Sequence, residues 1–239
     1  MNDYSMPILE GEGADDYARY MRTDTLLSLQ RGPEQRIHRD ELLFQVVHQT
    51  SELWLKLAAA ELVTAREFLA TGDWAPAAAL VRRACLSMKL VTEQLEMLAF
   101  LSPWDFQTIR TVLGHGSGFE SPGWRAVQAE TTSTAQALDL VLDARQIDVA
   151  ERFRTEPGGD LCRLLDELME WDERVAIWRV RHYKIAVRII GHGVKGTKGT
   201  PVDTLTRLIA HRFFPRLWDA RTVLTETGPM AELQAEPAR

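Results

Sequence analysis

Cysteine is scarce in this chain of 239 residues, which contains only Cys85 and Cys162. Two cysteines cannot form the disulfide framework of a small secreted protein, and no Cys-x-x-Cys pair is present. The first residues also lack a basic segment followed by an apolar core, so they do not predict a secretory signal. We therefore expect a cytoplasmic protein.

Long apolar runs and an excess of positive charge are also missing. No stretch of 18 or more apolar residues occurs, which argues against a membrane-spanning helix. The formal net charge of −6 gives no overall attraction for phosphate backbones, which argues against nucleic acid as a partner. A chain of this length with 45% hydrophobic residues can bury a core with room for a bulky cofactor, and we predict one domain over residues 1–239. Its ends are predicted as an N-terminal arm, residues 1–31, and a polar tail, residues 227–239.

Alternating patterns of β-branched residues are nearly absent, whereas apolar residues recur at three- and four-residue steps along most of the chain. This periodicity predicts an all-α protein, a helical bundle. A weakly patterned stretch before residue 160 is interpreted as a short connection. The predicted helices cover approximately residues 14–30, 40–70, 75–101, 103–113, 124–143, 160–190, 202–211 and 215–225.

Two of these helices carry pronounced apolar sets. The second predicted helix has one apolar stripe, formed by Leu43, Val46, Val47, Thr50, Leu53, Trp54 and Leu57. The third is predicted to lie mostly in the core because of its repeating apolar residues, Leu80, Ala84, Met88, Val91, Leu95 and Leu98.

A glycine-rich segment follows the fourth predicted helix. Residues 114–123 contain four glycines and one proline, which is more backbone freedom than a simple connection between helices requires. We interpret this segment as a loop that packs against a ligand.

Two of the six histidines lie on apolar helix faces. His182 shares its face with Val175, Trp178 and Ile185, and His48 follows Phe44 by one helical turn. A histidine on such a face of a helical bundle can hold a haem, but it can also be a core histidine whose nitrogens bond to neighbours. Position alone leaves both interpretations open.

Several basic side chains allow two interpretations as well. Arg110 follows Phe106 by one turn and precedes the glycine-rich loop. Its guanidinium could point into the same cavity as that loop and bind a carboxylate there, or the side chain could lie on the protein surface. Four basic residues lie near His182 in the sequence: Arg179, Arg181, Lys184 and Arg188. They form either a solvated helix face or a set of partners for acidic cofactor groups.

At these residues the sequence resembles the tryptophan 2,3-dioxygenase family. Four blocks match family patterns in the same order along the chain. Residues 16–30 resemble YxxYLxLDxLLxxQ, and residues 40–56 follow DELLFxxxHQTxELWxK almost residue by residue. Residues 101–110 and 117–121 resemble LxPxDFxxFR and SGFQS. Residues 178–182, 189–191 and 196–197 resemble WRxRH, MIG and the start of GTGG.

The resemblance implies an all-α fold that encloses haem b, with His182 as the proximal iron ligand and His48 as the distal histidine near the indole nitrogen of the substrate. It also implies a substrate pocket. In that pocket Phe44 and Phe106 pack on the indole ring and Arg110 pairs with the substrate carboxylate. The remaining implied contacts are made by Ser117, Gly118 and Thr197, and by Tyr17 and Tyr20 in the pocket of a neighbouring subunit of a homotetramer.

The implied activity is that of a haem-dependent oxygenase that inserts oxygen from O2 at the indole C2 of L-tryptophan or a close derivative. We expect dioxygenation to N-formylkynurenine. One alternative is a monooxygenase that yields a 2-oxindole, because residues 196–202 read GTKGTPV where the family has GTGGSSG. Alternatives of another class are a haem sensor or carrier without turnover and a helical interaction module.

Overall fold

The computed structural model of the protein describes residues 6–193 and 208–231, which form ten α-helices and no β-strand, in agreement with the predicted all-α class. Two 3₁₀ turns, Pro33–Gln35 and Gly118–Glu120, lie between them. No helix in this part of the chain has the length and apolarity that crossing a membrane would require. The helices are α1 (Asp16–Met21), α2 (Thr23–Ser28), α3 (Glu41–Thr71), α4 (Trp74–Glu93), α5 (Leu95–Leu98), α6 (Pro103–Arg110), α7 (Pro122–Ala144), α8 (Val149–Thr155), α9 (Asp160–Ile190) and α10 (Pro215–Glu226).

Helix ends with recognisable capping residues lie where the sequence predicts them. The Ser102 hydroxyl oxygen accepts a hydrogen bond from the Asp105 N–H at 3.1 Å, and Pro103 occupies the first position of α6. The long helix α3 stops at Gly72, whose φ of 90° lies in the left-handed region that favours glycine. Gly191 ends α9 with a φ of 86°, a positive value that also favours glycine, although its ψ differs from that of Gly72.

The helices of the structure differ from the predicted ones at three places. The first predicted helix is divided at Arg22, whose φ of 54° separates α1 from α2. The third ends at Glu93, and a single turn, α5, follows it after Gln94. The stretch interpreted as a connection contains α8, which is capped by Asp148 and buries only two side chains, so it gives little periodic signal. The predicted helix over residues 202–211 lies mostly outside the described residues.

Four helices, α3, α4, α7 and α9, form the bundle. α4 packs against both α3 and α9, and α7 packs against α3. The core between them includes Leu55, Leu62, Leu69, Met88, Leu138, Leu165, Leu168 and Trp171. Truncation of one such leucine to alanine costs about 2 to 5 kcal/mol.

The sequence predicts buried apolar residues on two helices, and the structure confirms this for α4 but only in part for α3. Ala84, Met88 and Val91 of α4 are buried, so the interpretation of this helix as core is confirmed. On α3, by contrast, only Val47 of the predicted stripe is buried, and four of its members are at least 36% exposed: Val46, Leu53, Trp54 and Leu57. These four are referred to below as the outer face of α3.

A second, smaller core lies at one end of the bundle. It joins the first turns of α3 to α5, α6 and the last turns of α9, and its buried members are Val47, Leu95, Leu98, Leu101, Ile109, Ile185 and Ile189. Phe44, Phe106 and Trp178 pack against it from the side and are half-buried. This end of the bundle holds the candidate site.

A buried carboxylate fixes the segment that leads into α10. Asp172 of α9 is 3% exposed and accepts hydrogen bonds from the Phe213 N–H at 3.0 Å and the Trp218 indole N–H at 2.9 Å. Arg179, two turns further along α9, donates to the carbonyl oxygens of Leu208 and His211 at 2.9 and 3.0 Å. Arg179, one of the four basic residues near His182, therefore stabilises the backbone of this segment by hydrogen bonds.

Candidate active site

His182 lies on the inward face of α9. The indole ring of Trp178 stacks on its imidazole with the ring planes 7° apart and the centroids 4.7 Å apart. Burial disfavours the imidazolium ion and, together with the nearby His48, lowers the pKa of His182 to about 4. The imidazole is therefore neutral at physiological pH, which is the form that binds a metal ion.

His48 lies on α3, one turn after Phe44. Its Nδ1 is 2.7 Å from the carbonyl oxygen of Phe44, so we assign the proton to Nδ1, which donates to this oxygen, and leave Nε2 as an acceptor. Burial lowers the pKa of His48, and the Phe44 carbonyl and Glu52 oppose this effect. The side chain is nevertheless accessible to water. Because the His48 side chain is surrounded by protein and is still accessible to water, we infer that it lines a recess in the surface.

The two histidines are close enough that charge on His48 affects the titration of His182. They come from different helices and flank the second core, whose residues are aliphatic. A neutral imidazole donor next to aliphatic side chains, with a second imidazole close enough to interact with it, is a donor set compatible with a haem held by one histidine ligand. The residues present therefore fit this cofactor.

Aromatic rings extend the recess on the side of His48. The Phe44 ring lies 4.1 Å from the His48 ring and 5.8 Å from the Phe106 ring, measured between centroids. Phe106 comes from α6, which ends at the half-buried Arg110, one turn further on. The structure thus brings together three predicted residues, His48, Phe44 and Phe106, and places Arg110 on the helix that carries Phe106.

A histidine that the sequence analysis did not single out links the starts of α3 and α6. The Nε2 atom of His38 is 3.5 Å from a carboxylate oxygen of Asp105, and its Nδ1 accepts a hydrogen bond from the Asp40 N–H at 3.2 Å. The imidazole therefore connects the residue that precedes α3 with the first turn of α6. This bridge joins the two helices that carry Phe44 and Phe106.

The glycine-rich loop precedes α7. Ser117 caps the 3₁₀ turn Gly118–Glu120: its hydroxyl oxygen accepts from the Phe119 N–H at 3.4 Å, and its own N–H donates to the Glu120 carboxylate at 3.0 Å. Gly118 is exposed. The substrate contacts implied for Ser117 and Gly118 stay predictions. Thr197 lies outside the described residues.

Tyr17 and Tyr20 lie on α1 and are 68% and 75% exposed in the single chain. The arm that carries them is held by its own polar contacts. The Asp16 carboxylate accepts from the N–H groups of Ile8 and Leu9, which lowers its pKa, and Arg19 donates to the carbonyl oxygens of Leu9 and Gly13. The role of both tyrosines towards a neighbouring subunit stays a prediction.

The pKa values of both histidines predict how stability depends on pH. In the unfolded chain His182 accepts a proton below its ordinary pKa of 6.5, whereas in the folded chain it does so only near 4. The free energy of unfolding is therefore highest above pH 6.5 and falls as the pH is lowered to 4, by up to about 3 kcal/mol for this residue. His48 acts in the same direction.

Urea unfolding of the haem-free protein at several pH values between 4.5 and 7.5 measures this slope. His182→Gln should reduce it. An unfolding free energy in the wild type that does not change between pH 7 and pH 5 would contradict the prediction.

Comparison with known proteins identifies the family of this chain. The family described as tryptophan 2,3-dioxygenase matches residues 4–138. Among similar proteins are the tryptophan 2,3-dioxygenases of Myxococcus xanthus, 30% identical, of Saccharopolyspora erythraea, 31% identical, and of Bacillus cereus, 31% identical. These matches cover 91%, 86% and 87% of this chain, respectively, and 92% of each relative. Because the family match spans more than half of the chain and the relatives match most of it, the chain belongs to the tryptophan 2,3-dioxygenase family of haem-dependent enzymes.

Proposed function

We propose that the protein dioxygenates L-tryptophan across the indole C2=C3 bond and forms N-formylkynurenine. The observation that carries this proposal is the pair of neutral, interacting histidines, His48 and His182, with Phe44 and Phe106 on the His48 side. The relatives named above carry the dioxygenase name, which favours this reaction over the 2-oxindole and carrier alternatives.

His182 is the residue that we assign to the haem iron, with haem b as the cofactor. The haem, when bound, supplies the activation of O2. The protein holds the imidazole neutral by burial and in a fixed plane by its stack on Trp178. Ile185 and Ile189 are buried on the same helix as His182, and electrostatic contacts in such aliphatic surroundings are stronger than in water.

His48 and the two phenylalanines form the assigned indole site. Phe44 and Phe106 supply ring faces against which an indole packs. Because Nδ1 of His48 is occupied by the Phe44 carbonyl, Nε2 is the atom that accepts a hydrogen bond from the indole N–H. These contacts orient the indole without transferring charge to it.

Arg110 is the residue that we assign to the substrate carboxylate. Its guanidinium can donate two parallel hydrogen bonds to a carboxylate, and it extends from the helix that positions Phe106. Ser117, Gly118 and Thr197 complete the assigned site as contacts to the amino-acid part of the substrate and the distal pocket. Together these groups select an indole that carries an amino-acid side chain.

The reaction is tested by mass spectrometry of the product made from L-tryptophan under isotopically labelled O2. We expect a ring-opened N-formylkynurenine that contains two labelled oxygen atoms. The same measurement on a β-methylated tryptophan tests a close derivative as substrate. A ring-intact oxindole with one labelled atom, formed only with added reductant, would replace the dioxygenase proposal with a monooxygenase.

The exposed apolar residues support a homotetramer. The outer face of α3 and the arm expose side chains that an isolated protomer leaves in water, among them Trp54, Leu27 and Leu29. We propose that these surfaces contact neighbouring subunits and that Tyr17 and Tyr20 reach a neighbouring pocket.

Light scattering at micromolar concentration should therefore give a mass about four times the 27.1 kDa of one chain. Leu27→Asp should lower this mass, because it places a charge in the proposed contact, whereas Arg163→Ala on exposed α9 surface should not. A monomer with full activity would contradict the assembly.

Two further assignments concern the cellular location and the domain organisation. The cysteines Cys85 and Cys162 are both free and buried, as they are in proteins that do not use disulfides, and we propose the cytoplasm as the location. We also propose that residues 1–239 act as a single domain, with its arm and tail at the two ends.

A further inference from the structure

We propose that Glu52 is a positioning residue for the proximal histidine: it fixes the first turn of α7 and thereby, through Trp124 and Trp178, the ring of His182. This inference rests on the proposed role of His182. It concerns a residue of α3 that lies one turn beyond His48, and it links the two sides of the site.

The first step is the contact between Glu52 and the start of α7. One carboxylate oxygen of Glu52 accepts a short hydrogen bond from the Ser121 hydroxyl, and the other accepts from the Gly123 N–H at 2.7 Å. The Ser121 oxygen in turn accepts from the Trp124 N–H at 3.0 Å. The first turn of a helix has unpaired N–H groups and a partial positive charge, so a carboxylate is well suited to hold it.

The second step is the close approach that these bonds enforce. A Cβ atom on Gly123 would lie 2.6 Å from a carboxylate oxygen of Glu52 and 2.8 Å from the Cβ of Leu55. Only glycine therefore fits between α7 and α3 at this point. The hydrogen bonds to Glu52 and the close packing at Gly123 together fix the position of the first turn of α7 along α3.

The third step leads from α7 to the histidine. The Trp124 ring lies 3.8 Å from the Trp178 ring, and Trp178 stacks on His182 at 4.7 Å, measured between centroids. The indole N–H of Trp178 is buried and has no hydrogen-bond partner among the described residues, so no polar bond of its own fixes this ring. Its plane is therefore fixed by packing: it lies against the two cores, with the Trp124 ring on one side and the His182 ring on the other.

These contacts predict that Glu52 affects the orientation of the His182 ring in addition to the stability of the fold. Displacement of the first turn of α7 moves Trp124, frees the plane of Trp178 and changes the orientation of the imidazole. Outer residues that orient a metal ligand typically contribute about 10- to 100-fold to metal affinity or activity. We expect a loss of about 10-fold in haem affinity on removal of one Glu52 bond, at the lower end of that range.

The test compares Glu52→Gln with a matched control, Glu130→Gln. Both glutamates connect α3 with α7, since Glu130 pairs with Arg66 at 2.7 Å, but Glu130 lies two turns further from the site. The first measurement is proton NMR of the haem-free protein, in which the stacked indole shifts the His182 ring protons upfield. The second is the iron–histidine stretching band of the ferrous haem protein by resonance Raman spectroscopy.

We expect Glu52→Gln to return the His182 protons towards ordinary histidine values, to shift or broaden the stretching band and to weaken haem binding about 10-fold. Glu130→Gln should leave all three unchanged. Wild-type values in a folded Glu52→Gln protein would overturn the proposal. If this variant does not fold, Trp124→Phe replaces it, and unchanged His182 shifts and an unchanged band in that variant would overturn the proposal equally.

Failure of the proposed function gives a different result. If His182 is not the iron ligand, the wild-type haem protein lacks the iron–histidine band or the band persists in the His182→Ala protein. The NMR shifts of the haem-free protein then still show whether Glu52 sets the orientation of the His182 ring.

Discussion

His182→Ala should abolish stable haem binding. The substitution removes the only ligand that we assign to the iron, and it leaves the Trp178 ring beside a void in an aliphatic environment. Without an axial ligand, affinity for the iron is expected to fall by at least about 100-fold, beyond the effect of outer residues. The measurement is the Soret absorbance of purified protein that has been titrated with haem and passed through a desalting column.

The control for this experiment is His211→Ala. His211 is exposed and lies in the segment that leads into α10, outside the assigned site, so its removal should leave the haem content unchanged. Imidazole added to the His182→Ala protein should restore part of the absorbance by occupying the vacated position. A His182→Ala protein with full haem content and the wild-type ferrous spectrum would refute the assignment.

Arg110→Ala should weaken the binding of L-tryptophan and leave the binding of tryptamine almost unchanged. A hydrogen-bonded pair that involves a charged group contributes about 1.5 to 3 kcal/mol, which corresponds to about 10- to 150-fold in affinity. Tryptamine has the same indole but no carboxylate, so it should not depend on the guanidinium. The measurement is the spectral shift of the haem on titration with each ligand.

Arg39→Ala is the matched control for Arg110, because the Arg39 side chain is 90% exposed at the start of α3. Both ligands should bind to this variant as they do to the wild type. Equal losses for L-tryptophan and tryptamine in the Arg110→Ala protein would exclude Arg110 from recognition of the carboxylate.

Local signals explain which parts of the fold could be predicted from the sequence. α6 follows from Ser102 and Pro103, because capping chemistry acts within one turn and is visible in the residues themselves. The end of α3 at Gly72 follows for the same reason. His48 and His182 were found because each lies on an apolar helix face, and the family resemblance assigned their roles.

Features that depend on contacts between distant residues could not be predicted. The outer face of α3 has the periodicity of a core-facing stripe, and only the packing of α4 and α7 shows that the opposite residues, such as Leu55 and Leu62, are buried instead. The role of Glu52 depends on Ser121 and Gly123, about 70 residues further along the chain. Its only sequence signal is its position one turn after His48.

The polar contacts within the N-terminal arm have a consequence for the rate of assembly. Because Asp16 and Arg19 hold residues 8–13 against α1 in the single chain, this part of the arm is already folded before it meets a neighbour. In the proposed tetramer, association then brings two preformed surfaces together and does not have to order a disordered segment, which reduces the entropic cost of binding. Collisions between protomers can therefore be productive without a slow folding step.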